Sequence, residues 1–166
     1  MNNNCESYLN ASRKIADSLC GLRMQSVLVH VVEREANVVY LITEDGGFAI
    51  DGALDGEILR IAQLQTTIEV LRGSGMKIIE YPPFGVFLQH RIHEVREIGL
   101  PWKGHGWEIS FEGLSGKSMI VQSIYAAPKP EGFENCLRLG VAEYQWDIGR
   151  YDSSPGLAQR RLHSLF

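Results

Sequence analysis

Three histidines are the residues of this chain with the clearest capacity for chemistry. His90 and His93 are three positions apart, Glu94 follows them, and His105 lies downstream between two glycines. If the first two lie on a helix, residues three apart share a face, and both imidazoles can bind one metal ion. With His105 as third ligand, an open position would remain for water, and Glu94 or Glu108 could act as general base. The pattern therefore indicates one candidate activity, a metal-dependent hydrolase.

The spacing of these histidines also has a structural explanation. In the HExxH zinc motif the histidines are four residues apart and the glutamate lies between them, and this chain does not reproduce that order. Charged residues surround both histidines, as expected for the solvated face of a helix. We therefore predict no cofactor and keep a divalent metal at His90, His93 and His105 as the alternative.

Two further motifs fail on their spacing. The run Gly-Lys-Ser at 116–118 matches the end of a phosphate-binding loop, but Phe111 stands where the first glycine of that loop belongs. The residues after this run favour a strand, so it predicts a hairpin turn instead. Asp51 could begin an EF-hand loop, but Ala53 and Ala62 stand at two of its ligand positions. Neither nucleotide nor calcium binding is expected from these motifs.

Composition describes an ordinary globular protein. Its 166 residues, 45% of them hydrophobic, suit a single domain over 1–166, with the polar residues 1–6 as a candidate disordered start. A net charge of -4 gives no basic field for nucleic acid. Cys5, Cys20 and Cys136 are far apart and odd in number, which predicts free thiols in a reducing compartment. With no secretory signal and no run of about 18 apolar residues, we expect a soluble cytoplasmic protein.

Aromatic residues between 102 and 125 suggest a binding surface. Trp107 and Tyr125 lie on a predicted hairpin, and Trp102 lies beside a proline and Lys103 in a predicted loop. Packing in the core is the ordinary explanation for such residues, but exposed Trp and Tyr beside cationic groups also form hot spots of protein interfaces. The candidate binding surface consists of Trp102, Lys103, His105, Trp107 and Tyr125.

The elements that must position these residues are mostly strands. Residues 26–51 predict a β-meander, because apolar β-branched runs are separated by polar residues and by an Asp-Gly-Gly turn. Trp107, Ile109 and Phe111 alternate with polar residues and favour a hairpin through a glycine-containing turn at 113–116. Residues 77–81 and 136–149 predict further strands.

Helical patterns are found near the N-terminus, in the middle and at the C-terminus. Apolar spacing predicts a helix over 8–22, a strand followed by a short helix over 56–73, and a central helix over 84–98. Ser154 and the following proline favour a short C-terminal helix. The predicted fold class is α+β, a mainly antiparallel β-sheet packed by an N-terminal helix, a central helix and a short C-terminal helix.

These patterns favour a non-catalytic protein-binding module, such as a regulator, inhibitor or immunity-type partner. The metal-dependent hydrolase is one alternative. A second is a protein that binds a small apolar ligand in a pocket lined by Phe84, Phe87 and Phe111. An uncovered sheet edge would also favour a homodimer, because pairing satisfies its backbone groups.

Overall fold

The computed structural model describes residues 3–54, 56–100, 103–123, 137–145 and 159–164. Two α-helices, one 3₁₀ helix and ten strands lie within these ranges. In chain order they are α1 Asn3–Leu19, β1 Met24–Val32, β2 Glu35–Thr43, β3 Gly46–Ala53, β4 Ile58–Gln63, α2 Ile68–Gly73, β5 Ile78–Glu80, the 3₁₀ helix Pro82–Phe87, β6 Ile92–Leu100, β7 Lys103–Phe111, β8 Lys117–Ser123, β9 Leu137–Gln145 and β10 Gln159–Ser164.

The strands form one antiparallel sheet that curls into a half-barrel. Its main order is β4-β3-β2-β9-β8-β7-β6, with β1 paired to β2 and β5, and β10 paired to β9. The start of β1 also approaches the start of β6. There the Gly21 N–H donates to the Ile92 carbonyl at 2.7 Å, and the Ile92 N–H donates to Leu22 at 2.9 Å. These bonds join the first residue of β6 to the segment that leads into β1.

The inner face of the half-barrel is apolar because side chains alternate along each strand. Trp107 lies opposite Val121, and Ile109 lies opposite Met119, with all four side chains buried. The same alternation places the intervening residues of β7 and β8 on the outer face. The two faces therefore carry different chemistry.

Helix α1 covers the inner face beside β4. Its buried residues Leu9, Ser12, Ala16 and Leu19 recur at helical spacing and form one stripe. The Ser12 hydroxyl accepts a hydrogen bond from the Ile61 N–H at 2.9 Å. The helix thus supplies an acceptor to the outer edge of β4, which pairs with β3 on its other side.

Replacing Ser12 with alanine should lower the free energy of unfolding by about 1–3 kcal/mol, because the buried Ile61 N–H loses its acceptor. Ser18→Ala on the exposed side of the same helix is the matched control and should change stability by less than about 0.5 kcal/mol. Urea denaturation of both variants measures the difference. Equal stability of the two would contradict the assigned role of Ser12.

Several predicted elements are confirmed. The β-meander forms β1, β2 and β3, the N-terminal helix is α1, and the hairpin forms β7 and β8. The strand and short helix predicted over 56–73 are β4 and α2. Helix α1 begins at Asn3, inside the start for which the sequence suggested disorder, and Glu6 lies in its first turn, where a negative charge is favourable.

The predicted central helix is wrong. Residues 82–87 form the 3₁₀ helix, Gln89 has a positive φ of 69°, and β6 follows. A β-bulge lies between Ile92 and Glu94. The first two inward-facing residues of β6, Ile92 and Val95, are therefore three positions apart and not two. This three-residue step in the apolar pattern resembles the spacing of a helix.

The predicted C-terminal helix is also wrong for residues 159–164, which form β10 against β9. A short isolated helix is marginal in water, whereas β9 offers six paired positions. Residues 154–158 lie outside the described ranges. None of the helices in the described part of the chain is both long and apolar enough to cross a membrane.

Candidate functional site

A band of polar residues crosses the outer face of β6, β7 and β8. Glu94 pairs with Ser110, Arg96 pairs with Glu108, and Ser110 pairs with Ser118. Directly opposed residues on one face of a sheet have side chains close enough to interact. The register alone therefore gathers carboxylates, a guanidinium and hydroxyls in one place.

Glu108 is the central residue of this band. It is only 5% exposed, although a carboxylate is rarely buried unless it is paired. Arg96 Nη2 forms an ion pair with its Oε1, and the Ser118 hydroxyl donates to its Oε2 at 3.1 Å. The Arg96 side chain itself is 56% exposed. A hydroxyl of β8 and a guanidinium of β6 thus both contact the buried carboxylate.

A groove of about 540 Å³ lies over this band. Its volume falls in the range of small-ligand sites, roughly 300–1,000 Å³. One end is the turn between β7 and β8, where Gly113 and Gly116 have positive φ values of 77° and 82°. The groove is lined by His93, Glu94, Arg96, Glu108, Ser110, Phe111, Glu112, Gly113, Leu114, Ser115, Gly116, Lys117 and Ser118.

The rim of the groove carries an excess of negative charge. Glu94 and Glu112 are exposed, and neither forms an ion pair with any residue that the structure describes. Lys117 Nζ lies 3.7 Å from the Glu143 carboxylate, and Arg96 is paired with Glu108. Two carboxylates at the rim are therefore available to a ligand.

His105 belongs to a different site, on the inner face. Its Nδ1 accepts a hydrogen bond from the Leu59 N–H at 2.9 Å, and its Nε2 lies 2.9 Å from Glu97 Oε1. Arg13 Nε donates to Glu97 Oε2 at 2.6 Å. These contacts join α1, β4, β6 and β7 through side chains.

The pKa values at this inner site indicate a neutral imidazole. Burial lowers the pKa of His105, and the Glu97 carboxylate opposes that effect only in part. Burial acts to raise the pKa of Glu97, but hydrogen bonds from Arg13 and His105 outweigh it, so that pKa is also lowered. Because Nδ1 accepts the Leu59 N–H, the contact with Glu97 is a hydrogen bond from the Nε2–H of a neutral ring to a carboxylate.

Trp107 and His105, two of the five residues predicted as an aromatic binding surface, lie on the inner face of the sheet. Trp107 is 1% exposed, and its indole N–H donates to the Leu59 carbonyl at 2.9 Å. His105 is half-buried and meets the Trp107 ring edge to face at 5.5 Å. Lys103 is the first residue of β7, and Trp102 and Tyr125 lie outside the described residues.

Of the three histidines of the metal alternative, His90 and His93 lie near the turn between β7 and β8, and His105 lies on the inner face of the sheet. His90 Nδ1 lies 3.1 Å from the Glu112 carbonyl oxygen, His93 lines the groove, and His105 bonds to Leu59 and Glu97. The helix that would have placed His90 beside His93 does not form. Over the described ranges, no group of three or more His, Cys, Asp or Glu is arranged to hold a metal ion.

The phenylalanines of the apolar-pocket alternative pack against one another. Phe84 and Phe87 are fully buried and Phe111 is 4% exposed. The Phe87 and Phe111 rings stack with centroids 4.7 Å apart. These rings contribute to the hydrophobic core around the 3₁₀ helix.

From the sequence, Glu108 was considered only as a general base and Ser118 only as part of a phosphate-binding loop that was set aside, and Arg96 was assigned to no site. Glu108 alternates with Trp107 and Ile109, and such a pattern predicts a solvated outer face. Its burial results from three strands meeting at the groove. The spacing of residues within one strand does not predict this burial of Glu108.

Comparisons of the chain with protein-family models, with curated proteins and with solved structures found no match. The class of protein is therefore given by the fold and the groove alone: an antiparallel half-barrel covered by a helix on its inner face, with a charged groove on its outer face.

Proposed function

We propose that this chain is a non-catalytic, cytoplasmic protein-binding module whose outer groove holds a lysine or arginine side chain of a partner protein. The observation that carries the proposal is the pair of exposed carboxylates, Glu94 and Glu112, at the rim of a groove whose floor is a fixed ion pair. Free Cys5 and Cys20 suit a reducing compartment.

The charges of the groove favour a basic partner. Arg96 forms an ion pair with Glu108, and Lys117 lies near Glu143, so the two rim carboxylates contribute most of the uncompensated charge that the described residues present to a ligand. The whole chain carries a net charge of -4. Complementary charge at an interface speeds encounter and selects the partner. A guanidinium can also form paired hydrogen bonds with a carboxylate.

The rigidity of the floor also supports a binding role. Glu108 accepts from Ser118 and is paired with Arg96, so the groove is formed before a partner arrives. A preformed site loses less conformational entropy on binding. The β-bulge at the start of β6 lies beside His93, and bulges of this kind redirect side chains at binding sites.

Reversing both rim charges, Glu94→Lys with Glu112→Lys, should weaken partner binding by about 10-fold to 100-fold, because two attractive contacts become repulsive. The partner is first captured from source cells with the wild-type chain and identified by mass spectrometry. Its affinity for each variant is then measured by calorimetry with purified proteins. Added salt should weaken binding of the wild type and should no longer weaken binding of the variant, because salt also screens the new repulsion.

The matched control reverses two exposed glutamates away from the groove, Glu33→Lys with Glu57→Lys. It changes the net charge of the chain by the same amount and should leave the affinity within about twofold. If both double variants lose affinity equally, overall charge and not the groove determines binding. If neither loses affinity, the groove is not the binding site.

A further inference from the structure

We infer that His105 is a pH-sensitive clasp: its neutral ring joins the outer edge of β4 to β6 and α1, and protonation of that ring opens the edge of β4. The clasp is separate from the groove, which lies on the opposite face of the sheet. Its pH sensitivity follows from the hydrogen-bonding roles that the two ring nitrogens must take.

The geometry allows one tautomer of the neutral ring. The Leu59 N–H points at Nδ1 over 2.9 Å, so Nδ1 must be an acceptor without a proton. Nε2 then carries the hydrogen and donates to Glu97 Oε1. A second proton could be added only at Nδ1, where it would face the Leu59 N–H. Protonation therefore breaks the bond between the ring and β4.

The charged groups around the ring are few. Among the described residues, Glu97 on β6 and Arg13 on α1 are the charges that act on His105. From β4 it meets the Leu59 N–H, and from β7 the edge of the Trp107 ring. Glu97 already accepts bonds from Arg13, so its charge is shared between that guanidinium and the imidazole.

Within the part of the chain that the structure describes, three side chains form hydrogen bonds to the outer edge of β4, and the His105 bond is one of them. Leu59 N–H is bonded by His105, the Leu59 carbonyl by Trp107, and the Ile61 N–H by Ser12. Side chains thus occupy positions that a further strand would fill. Loss of the His105 bond leaves an unpaired N–H at a strand edge, which is the group used when a partner adds a strand.

The sign of the pH dependence follows from the lowered pKa of His105. As the pH is lowered, His105 of the unfolded chain takes up a proton near pH 6.5, and His105 of the folded chain does so only at a lower pH. The stabilisation from neutral His105 is therefore complete above about pH 6.5 and declines as the pH falls through the lower folded pKa. Burial also lowers the pKa of His30, so protonation of His30 on acidification lowers the global free energy of unfolding as well. A measurement at a single amide near His105 is needed to separate its effect from that of His30.

Amide hydrogen exchange of Leu59 provides that local measurement. Its protection factor in the wild type should fall at least about tenfold as His105 becomes protonated on acidification from about pH 7.5, while that of Val39 in the core should fall less. His105→Asn keeps an acceptor near Nδ1 but cannot titrate, so its Leu59 protection should not change with pH. His30→Asn is the control and should keep the wild-type response.

Nitrogen NMR of the His105 ring supplies a test that needs no variant. At neutral pH the ring should be the Nε2–H tautomer, and its titration should coincide with the loss of Leu59 protection. An Nδ1–H tautomer would overturn the inference. So would Leu59 protection that is unchanged through the titration of His105, or a response that His30→Asn abolishes.

Discussion

Trp107→Ala is expected to lower the free energy of unfolding by about 3–5 kcal/mol, which is among the largest effects of any single substitution in this chain. The side chain is 1% exposed and lies on the inner face of β7 opposite Val121. Its removal leaves a cavity in the core and also removes the donor of the bond to the Leu59 carbonyl. Denaturant unfolding followed by circular dichroism measures the loss.

Trp107→Phe separates the two contributions. It retains much of the apolar ring and deletes the indole N–H, so it should cost about 1–3 kcal/mol. If the alanine variant loses less than about 1 kcal/mol, Trp107 is not the core residue described above. If the phenylalanine and alanine variants are equally unstable, the hydrogen bond and not the ring volume determines the effect.

Gly106→Ala is expected to lower the free energy of unfolding by about 2–3 kcal/mol, because β8 leaves no room for a methyl group. A Cβ at this position would collide with the Val121 carbonyl oxygen and would lie 2.7 Å from Gln122 Cα. Both atoms belong to backbone, so relief requires the paired strands to move apart. Amide exchange across β7 and β8 would show where the pairing weakens.

Gly73→Ala is the matched control for this substitution. Gly73 is the last residue of α2, and a Cβ there meets nothing within 4 Å. Alanine is the better helix former, so the change should be neutral or stabilising by up to about 1 kcal/mol. Equal losses at Gly73 and Gly106 would contradict the close approach of β7 and β8.

The sequence predicted local pairing better than distant contacts. The β7–β8 hairpin follows from the alternation of Trp107, Ile109 and Phe111 together with a glycine-containing turn, all within about 20 residues. The pairing of β8 with β9 joins segments whose relation no local pattern records. Register between distant strands depends on packing of the whole sheet, which a single sequence does not display.

The β6 segment shows why the central helix was predicted wrongly. A bulge adds one residue between two inward positions, so Ile92 and Val95 acquire a spacing of three. Such spacing is typical of a helix, and β-branched residues were the one opposing signal. The conformation of Gln89, with its positive φ, ends any helix before this point.

The groove and the His105 clasp could not be predicted from the sequence, because both depend on the register between strands. Arg96 and Glu97 are neighbours in β6 and point to opposite faces, one toward Glu108 and the other toward His105. A run of alternating charges predicts a solvated strand edge equally well. Only the register with β7 assigns each charge to its partner.

The most direct test of the proposed binding role is an NMR titration of the labelled chain with short peptides that contain arginine or lysine. Binding in the groove should produce saturable shifts at its backbone amides, Ser110, Leu114 and Lys117, and these shifts should disappear in the variant carrying Glu94→Lys and Glu112→Lys. Acidic peptides of equal length should leave those amides unchanged. Shifts that map elsewhere, or that persist in the doubly substituted chain, would contradict the groove as the site of binding.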